Sequence, residues 1–312
     1  MNKQKITPVY LILLFALLLG ACNVQSAAPA ADTNIVLIDG LGREVRLAEP
    51  AMRIVSMAPS NTEIIYAVGA GDALVGRDEF SNYPEEALDI ASIGGGMEDF
   101  NLETITALDP DLVLAAEINP PEIVDALEKL DIPVYYLSNP HDFAGLYENL
   151  ITVGTLSGHE ADAIALSDSL QVRVENILNA VAKQETIPTV FFELDASESA
   201  KPWTSGGGTF VDYLISMAGA QNIAADVTDE WVQYSQENLI IQNPDIIILA
   251  DAKWGITTDM VKERPGWETL SAVANDAIYP IDDDLTSRPG PRLADGLETL
   301  VKICHPDIEL ND

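Results

Sequence analysis

Beyond residue 34 the chain alternates short β-branched apolar runs with stretches whose apolar residues recur every three or four positions. Residues 35–38 and 43–47 read as an opening hairpin that turns at Asp39-Gly40. Residues 53–57 read as a strand, 59–63 as a loop with capping residues, and 64–68 as a helix stopping at Gly69. Further strands are expected at 112–115, 134–137, 189–192, 246–249 and 277–281, with helical segments between them. That alternation predicts an α/β protein with largely parallel sheets. One stretch breaks it. Between Gly158 and Lys183 there is no further Gly or Pro, and Ile164, Ser167, Leu170, Val174, Ile177 and Val181 follow steps of three and four. Such a helix is roughly 37 Å long at 1.5 Å per residue, about the width of a domain. It is either one more surface helix or, since α/β units lie on both sides, a rigid strut joining two lobes.

A weak internal repeat supports two lobes. Glu103 stands seven residues before Pro110-Asp111, and Glu237 stands seven before Pro244-Asp245; each Pro-Asp is followed by four apolar residues and an alanine. The pattern describes a helix starting near the glutamate, stopping before the proline and feeding a buried strand. A glutamate in a first helical turn suits the helix dipole, and its recurrence once per lobe also makes a matched surface feature.

The N-terminus changes the picture. Lys3 and Lys5 precede an almost unbroken apolar run over residues 10–19, too short for the about 20 residues that cross a bilayer core but suited to a signal peptide. The run ends in Leu19-Gly20-Ala21-Cys22, which resembles the lipobox of bacterial lipoproteins, so Cys22 is the expected lipidation site. A conventional signal peptide cut within 27–31 and a single membrane anchor are the competing readings. Residues 23–33 are small, polar and Pro/Ala-rich, as expected of a tether. The division expected is a leader at 1–21, a lipid-anchored tether at 22–34, an N-terminal lobe at 35–156, a bridging helix at 157–185 and a C-terminal lobe at 186–312. The protein is expected outside the cytoplasmic membrane, on its outer face.

The formal charge of -34 becomes -36 once Lys3 and Lys5 leave with the leader, which argues against nucleic acid as a partner. With Cys22 lipidated, Cys304 has no disulfide partner, and a packed thiol on a C-terminal helix is expected. There is no His-Glu-x-x-His, no Gly-x-Ser-x-Gly and no phosphate-binding loop. Gly206-Gly207-Gly208 lacks the following Lys and reads as a turn before a helix at 209–217. His141, His159 and His305 sit in polar segments without a ligand cluster, so no metal site, no cofactor and no enzymatic activity are expected.

Six stretches, taken in order and spacing, carry a family resemblance: Met57-Ala58-Pro59-Ser60-Asn61-Thr62-Glu63, Phe80-Ser81-Asn82-Tyr83-Pro84, Asn101-Leu102-Glu103, Pro202-Trp203-Thr204-Ser205-Gly206, residues 231–237, and Ser287-Arg288-Pro289-Gly290-Pro291-Arg292. Over residues 53–307 the chain resembles the substrate-binding proteins of ABC importers for vitamin B12 and iron chelates, most closely the vitamin-B12-binding members. The resemblance implies two Rossmann-like lobes bridged by one long helix, the helical-backbone class III periplasmic binding protein fold. It places a ligand between the lobes, against Phe80 and Met97 on one side and Trp203, Trp231 and the loop Asp284-Leu285-Thr286-Ser287-Arg288 on the other. Met97 stands where the nearest relatives carry tryptophan, and Leu285-Thr286 replaces a pair of aromatics, so stacking area is smaller. The resemblance also implies that Glu103 and Glu237 dock onto arginines of the importer's membrane subunits. The expected function is therefore a monomeric, lipid-anchored receptor delivering a corrinoid to an ABC importer. The rivals are a ferric siderophore or haem on the same scaffold, with Tyr83 or Tyr234 as a haem ligand, and a metal-dependent enzyme or sensor domain.

Overall fold

The computed structural model describes residues 34–96 and 99–310. β1 (Ile35–Ile38) and β2 (Glu44–Leu47) form an antiparallel ribbon whose turn is tied by Asp39, a carboxylate accepting from the Leu41 and Arg43 amides at 3.0 and 2.9 Å. The N-terminal sheet then takes β3 (Ile54–Ser56), helix α1 (Pro59–Ala67) and β4 (Leu74–Arg77). Helix α2 (Leu102–Ala107), β5 (Leu112–Ala116), α3 (Pro121–Glu128), β6 (Val134–Leu137) and α4 (Phe143–Ser157) complete it. Its strand order is β4-β3-β5-β6, with every pair parallel. β5 and β6 are buried along their whole length because helices cover both faces, which is why they read as unbroken apolar runs.

Two sequence expectations change here. Residues 59–63 are not a capping loop. Pro59 is the first residue of α1, where its missing N–H costs nothing, and Ser60, Asn61, Thr62 and Glu63 lie buried in the first turns. The long helix, α5 (Glu160–Val181), is 22 residues, about 33 Å, and shorter than 157–185 at both ends. Ser157 still belongs to α4, and Gly158 caps that helix in the left-handed region at φ 79°. The buried stripe of α5 is Ala163, Ser167, Leu170, Val174 and Ile177; Ile164 faces solvent at 42% exposure.

The C-terminal lobe begins with β7 (Thr189–Asp195), β8 (Trp203–Ser205), α6 (Phe210–Met217), β9 (Gln221–Asn222), β10 (Trp231–Gln233) and α7 (Gln236–Gln242). It continues through β11 (Ile246–Leu249), α8 (Thr258–Lys262), α9 (Ser271–Ala274), β12 (Ile278–Pro280), α10 (Asp284–Ser287) and α11 (Leu293–Cys304). The sheet order is β10-β8-β7-β11-β12, with β9 also on β7; β7, β9, β11 and β12 run parallel, and β8 and β10 form an antiparallel pair at one edge.

One apolar core is continuous across both lobes. It takes Ile54, Leu112 and Leu150 from the first, Leu170, Val174 and Ile177 from α5, and Val190, Leu214 and Leu297 from the second. Arg173 of α5 holds α11 through Asp295 and Glu298 at 2.6 and 2.5 Å, fastening the strut to the C-terminal lobe. Cys304 is buried at the end of α11, and burial pushes its thiol up to about 12.

Candidate functional site

Strand ends of the two sheets meet across a cavity of about 120 Å³. From the first lobe come Glu117, just past β5, and Asn139, Pro140 and His141, just past β6. From the second come the start of α6, Glu230 and Trp231 at the head of β10, and Thr286, Ser287, Pro289 and Leu293. Loops at the C-terminal ends of parallel strands are where open α/β sheets bind ligands, since the strands end there and the loops are free to vary.

The floor is aromatic. Phe143 of α4 meets Phe210 of α6 edge-on at 5.8 Å and Tyr213 at 6.4 Å, while Tyr147 packs behind Phe143 at 6.1 Å. Edge-to-face packing joins the lobes beneath the cleft with apolar area and little freedom. Thr209 caps α6, its hydroxyl accepting from the Asp212 amide at 3.1 Å and donating to the Gly206 carbonyl at the same distance. The glycine triplet before it does more than turn. A Cβ on Gly206 or Gly207 would lie 2.0 Å from the carbonyl oxygens of Asp229 and Ala225, so only glycine lets the chain leading into β10 cross so closely.

The antiparallel edge pair β8–β10 presents the tryptophans. Trp231 pairs with Ser205, and Gln233 with Trp203, so both indoles stand on one face as diagonal neighbours. They are 51% and 40% exposed, while Thr204 on the other face is buried and bonds the Phe192 carbonyl at 2.7 Å. In the first lobe Phe80 is 47% exposed in the loop after β4. Its amide donates at 2.9 Å to the buried carboxylate of Asp78, which also receives the Ser81 hydroxyl; burial raises the Asp78 pKa despite these bonds. Exposed aromatics held on fixed backbone are the feature of a pre-formed apolar binding surface.

The segment 284–288 divides. Thr286 and Ser287 line the cavity; Leu285 is half-buried, and its carbonyl lies so close to α11 that a Cβ on Gly296 would come within 2.1 Å of it. Asp284 and Arg288 are turned to each other at 2.8 Å, and Arg288 reaches on to Glu63, Asn82 and the Phe80 carbonyl. Its guanidinium is thus engaged between the lobes rather than offered to a ligand. Among the described residues one acidic group is compact enough for a cation, Asp282–Asp284, and Lys253 already sits on it, 2.6 Å from Asp283 and 3.1 Å from Asp284. Met97 and Cys22 lie outside the described residues.

Glu103 and Glu237 are exposed in the first turns of α2 and α7, capped by Asn101 and Ser235, and form no ion pair among the described residues. Of the tyrosines singled out as haem ligands, Tyr83 is half-exposed and stacks under Arg292 at 4.0 Å. Tyr234 is buried, with its hydroxyl on the Ile223 carbonyl at 3.2 Å, and is unavailable. Sequence reasoning missed Glu117, His141, Glu230 and Phe210. The signal for the first two was positional, since both follow predicted strands within a few residues.

The family model described as "Periplasmic binding protein" matches residues 54–285. An ABC transporter substrate-binding lipoprotein of Bacillus subtilis, YvrC, is 33% identical over 88% of this chain and 86% of its own. A vitamin B12-binding protein of Pectobacterium atrosepticum is 30% identical over 77% of this chain and 84% of its own. The solved vitamin B12-binding protein BtuF of Vibrio cholerae superposes with a TM-score of 0.70 at 27% identity, covering 82% of this chain and 97% of that one.

Proposed function

The chain belongs to the periplasmic binding protein family, a substrate-binding transport protein acting outside the cytoplasm and not an enzyme, and from that premise we propose that it captures a corrinoid between its lobes and delivers it to an ABC importer. The observation that carries the reading is the pair of exposed indoles on one face of the β8–β10 edge pair, beside a cavity that Trp231 lines together with polar groups from both lobes. A corrin is a broad, mostly apolar disc fringed with amides. Flat aromatics supply the area it needs, while His141, Ser287 and the carboxylates of Glu117 and Glu230 supply partners for the fringe. Relatives named for vitamin B12 lend the same support. Lipidation at Cys22 holds the receptor at the membrane and raises its effective concentration near the importer; Glu103 and Glu237, one per lobe, are its docking points, and it works as a monomer.

The test is calorimetric titration of the full chain with cyanocobalamin. Saturable heat is expected, together with a rise in thermal midpoint of the kind that tight binding to the native state imposes. No heat and no stabilisation at high micromolar ligand would refute the corrinoid reading. A second reading, haem, is favoured by one observation: His141 lines the cavity, and an imidazole is a competent axial ligand. A sharp Soret band on haem addition, lost in His141→Ala, decides for it. Two carboxylates in the cavity weigh against anionic ferric siderophores.

A further inference from the structure

Glu63 lies in the first turns of α1 in the N-terminal lobe, 3% exposed, and no partner within that lobe neutralises it. Its counter-charges come from the other lobe, more than 220 residues along the chain. Arg292 donates to it twice, through Nε to Oε2 at 2.9 Å and through an Nη to Oε1 at 2.6 Å, and Arg288 adds a bond to Oε1 at 3.2 Å. Both arginines carry the contact into the walls of the cleft. Arg288 also binds the side chain of Asn82 at 2.8 Å, the Phe80 carbonyl at 3.2 Å and Asp284 at 2.8 Å; Arg292 lies 4.0 Å over the Tyr83 ring. Gly290, between them, would place a Cβ 3.4 Å from the Glu63 carboxylate, so the turn is drawn tight against it. Burial would lower the pKa of Arg292, yet the Glu63 bonds raise it.

We propose that Glu63 is a positioning residue for the ligand site: acting through Arg288 and Arg292, it sets the spacing between the Phe80 loop and the segment that carries Thr286 and Ser287. The inference rests on the cleft being the ligand site, but the contact itself does not. The aromatic floor and α5 join the lobes below and behind the cleft; the Glu63 contact joins them at its mouth-side loops. A nearly buried carboxylate shared by two guanidinium groups has strict geometry, since each bond is charge-assisted and directional. Glu63→Gln keeps the shape of the side chain but removes the charge that holds two arginines at once. The loops then separate, and Phe80 no longer faces the second lobe at the distance a ligand requires.

The experiment measures spacing and affinity separately. Spin labels at Asp125→Cys and Asp259→Cys, both exposed sites in opposite lobes, are placed in the full chain carrying Cys22→Ser; buried Cys304 stays unlabelled. In ligand-free protein, Glu63→Gln is expected to broaden the interlobe distance distribution and shift it to longer values. Arg292→Met is expected to do the same, and the double variant no more than either single one. With cyanocobalamin as the probe, Kd is expected to rise at least tenfold in each variant. An unchanged distance distribution in both folded single variants overturns the proposal, as do distance shifts that simply add in the double variant. If the unaltered protein fails to bind cyanocobalamin, the corrinoid reading falls while the distance measurement still decides the role of Glu63. Should Glu63→Gln not fold, Arg292→Met and Arg288→Met carry the same distance test from the other lobe.

Discussion

Replacing Arg264 with Met tests whether the second lobe holds its tryptophan-bearing strands through a buried ion pair. Arg264 donates twice to Glu193, at 2.5 and 2.8 Å, with both side chains nearly or fully out of water, and its guanidinium lies 4.5 Å over the Trp267 ring. Glu193 sits in β7 opposite Thr204 of β8. Burial pushes the Glu193 carboxyl up to about 6 even though Arg264 opposes the shift. Removing one member of a buried pair costs about 3–5 kcal/mol, because the other charge is left desolvated and alone. Losing the stacked cation adds about 0.5–2 kcal/mol. The pH dependence follows from the direction of the shift. A carboxyl whose folded pKa lies above its ordinary 4.5 binds its proton more tightly when folded. Its protonation therefore supports the fold fully below pH 4.5, and that support is lost as pH rises through about 6, on the order of 2 kcal/mol. Without Arg264 the window moves higher. Urea unfolding at pH 5 and pH 7 is thus expected to show Arg264→Met strongly destabilised at pH 7 and much less so at pH 5. Glu193→Gln combined with Arg264→Met should recover most of the loss. The reasoning fails if the single variant loses under about 1 kcal/mol at pH 7, or loses the same amount at both pH values.

Trp231→Ala is expected to weaken cyanocobalamin binding by about tenfold or more, as truncating a central aromatic anchor does, with little change in thermal midpoint because the indole is half-exposed; calorimetry and a melting curve check both. Cys304 should resist thiol reagents from pH 6 to 9 in the native state and react only in denaturant, since burial keeps it protonated; labelling of the folded protein with Cys22→Ser would contradict its placement in α11. Reversing Glu103 and Glu237 to Arg together is expected to abolish importer-dependent uptake while Kd for the ligand stays unchanged. Lost ligand affinity in that variant would show the two carboxylates to be misassigned.

Exposed ion pairs are each worth about 0–1 kcal/mol, so the two glutamates proposed as docking points would contribute orientation more than affinity. The lobes themselves allow little rotation between them. A helix of 22 residues, an aromatic floor and a shared core connect them, in contrast to receptors whose lobes hinge on a pair of extended strands.

Local pattern determined much of this protein. Strands β5, β6 and β11 are legible because a strand buried on both faces must be apolar along its whole length. The long helix is legible because a 22-residue segment without Gly or Pro holds its apolar residues on one stripe. The glutamates before each Pro-Asp are legible because helix starts and stops leave local marks. Site composition was only partly so. Trp203 and Trp231 could be singled out as aromatics, but their common face is set by the register of an antiparallel pair 28 residues apart. The family resemblance, and not local pattern, marks Arg288 as a ligand contact; its actual engagement depends on Glu63, which local pattern assigned to a capping loop. His141 follows a predicted strand, which marks it only as a strand-end loop residue, and Phe210 carries no mark that distinguishes a cleft residue from any other helix residue. Secondary structure follows from interactions within a few residues, and these the sequence determines by itself. Which loops face each other, and which charges meet between lobes, depends on contacts between residues far apart along the chain, 225 and 229 residues for the Glu63 pairs, and these only the tertiary structure decided.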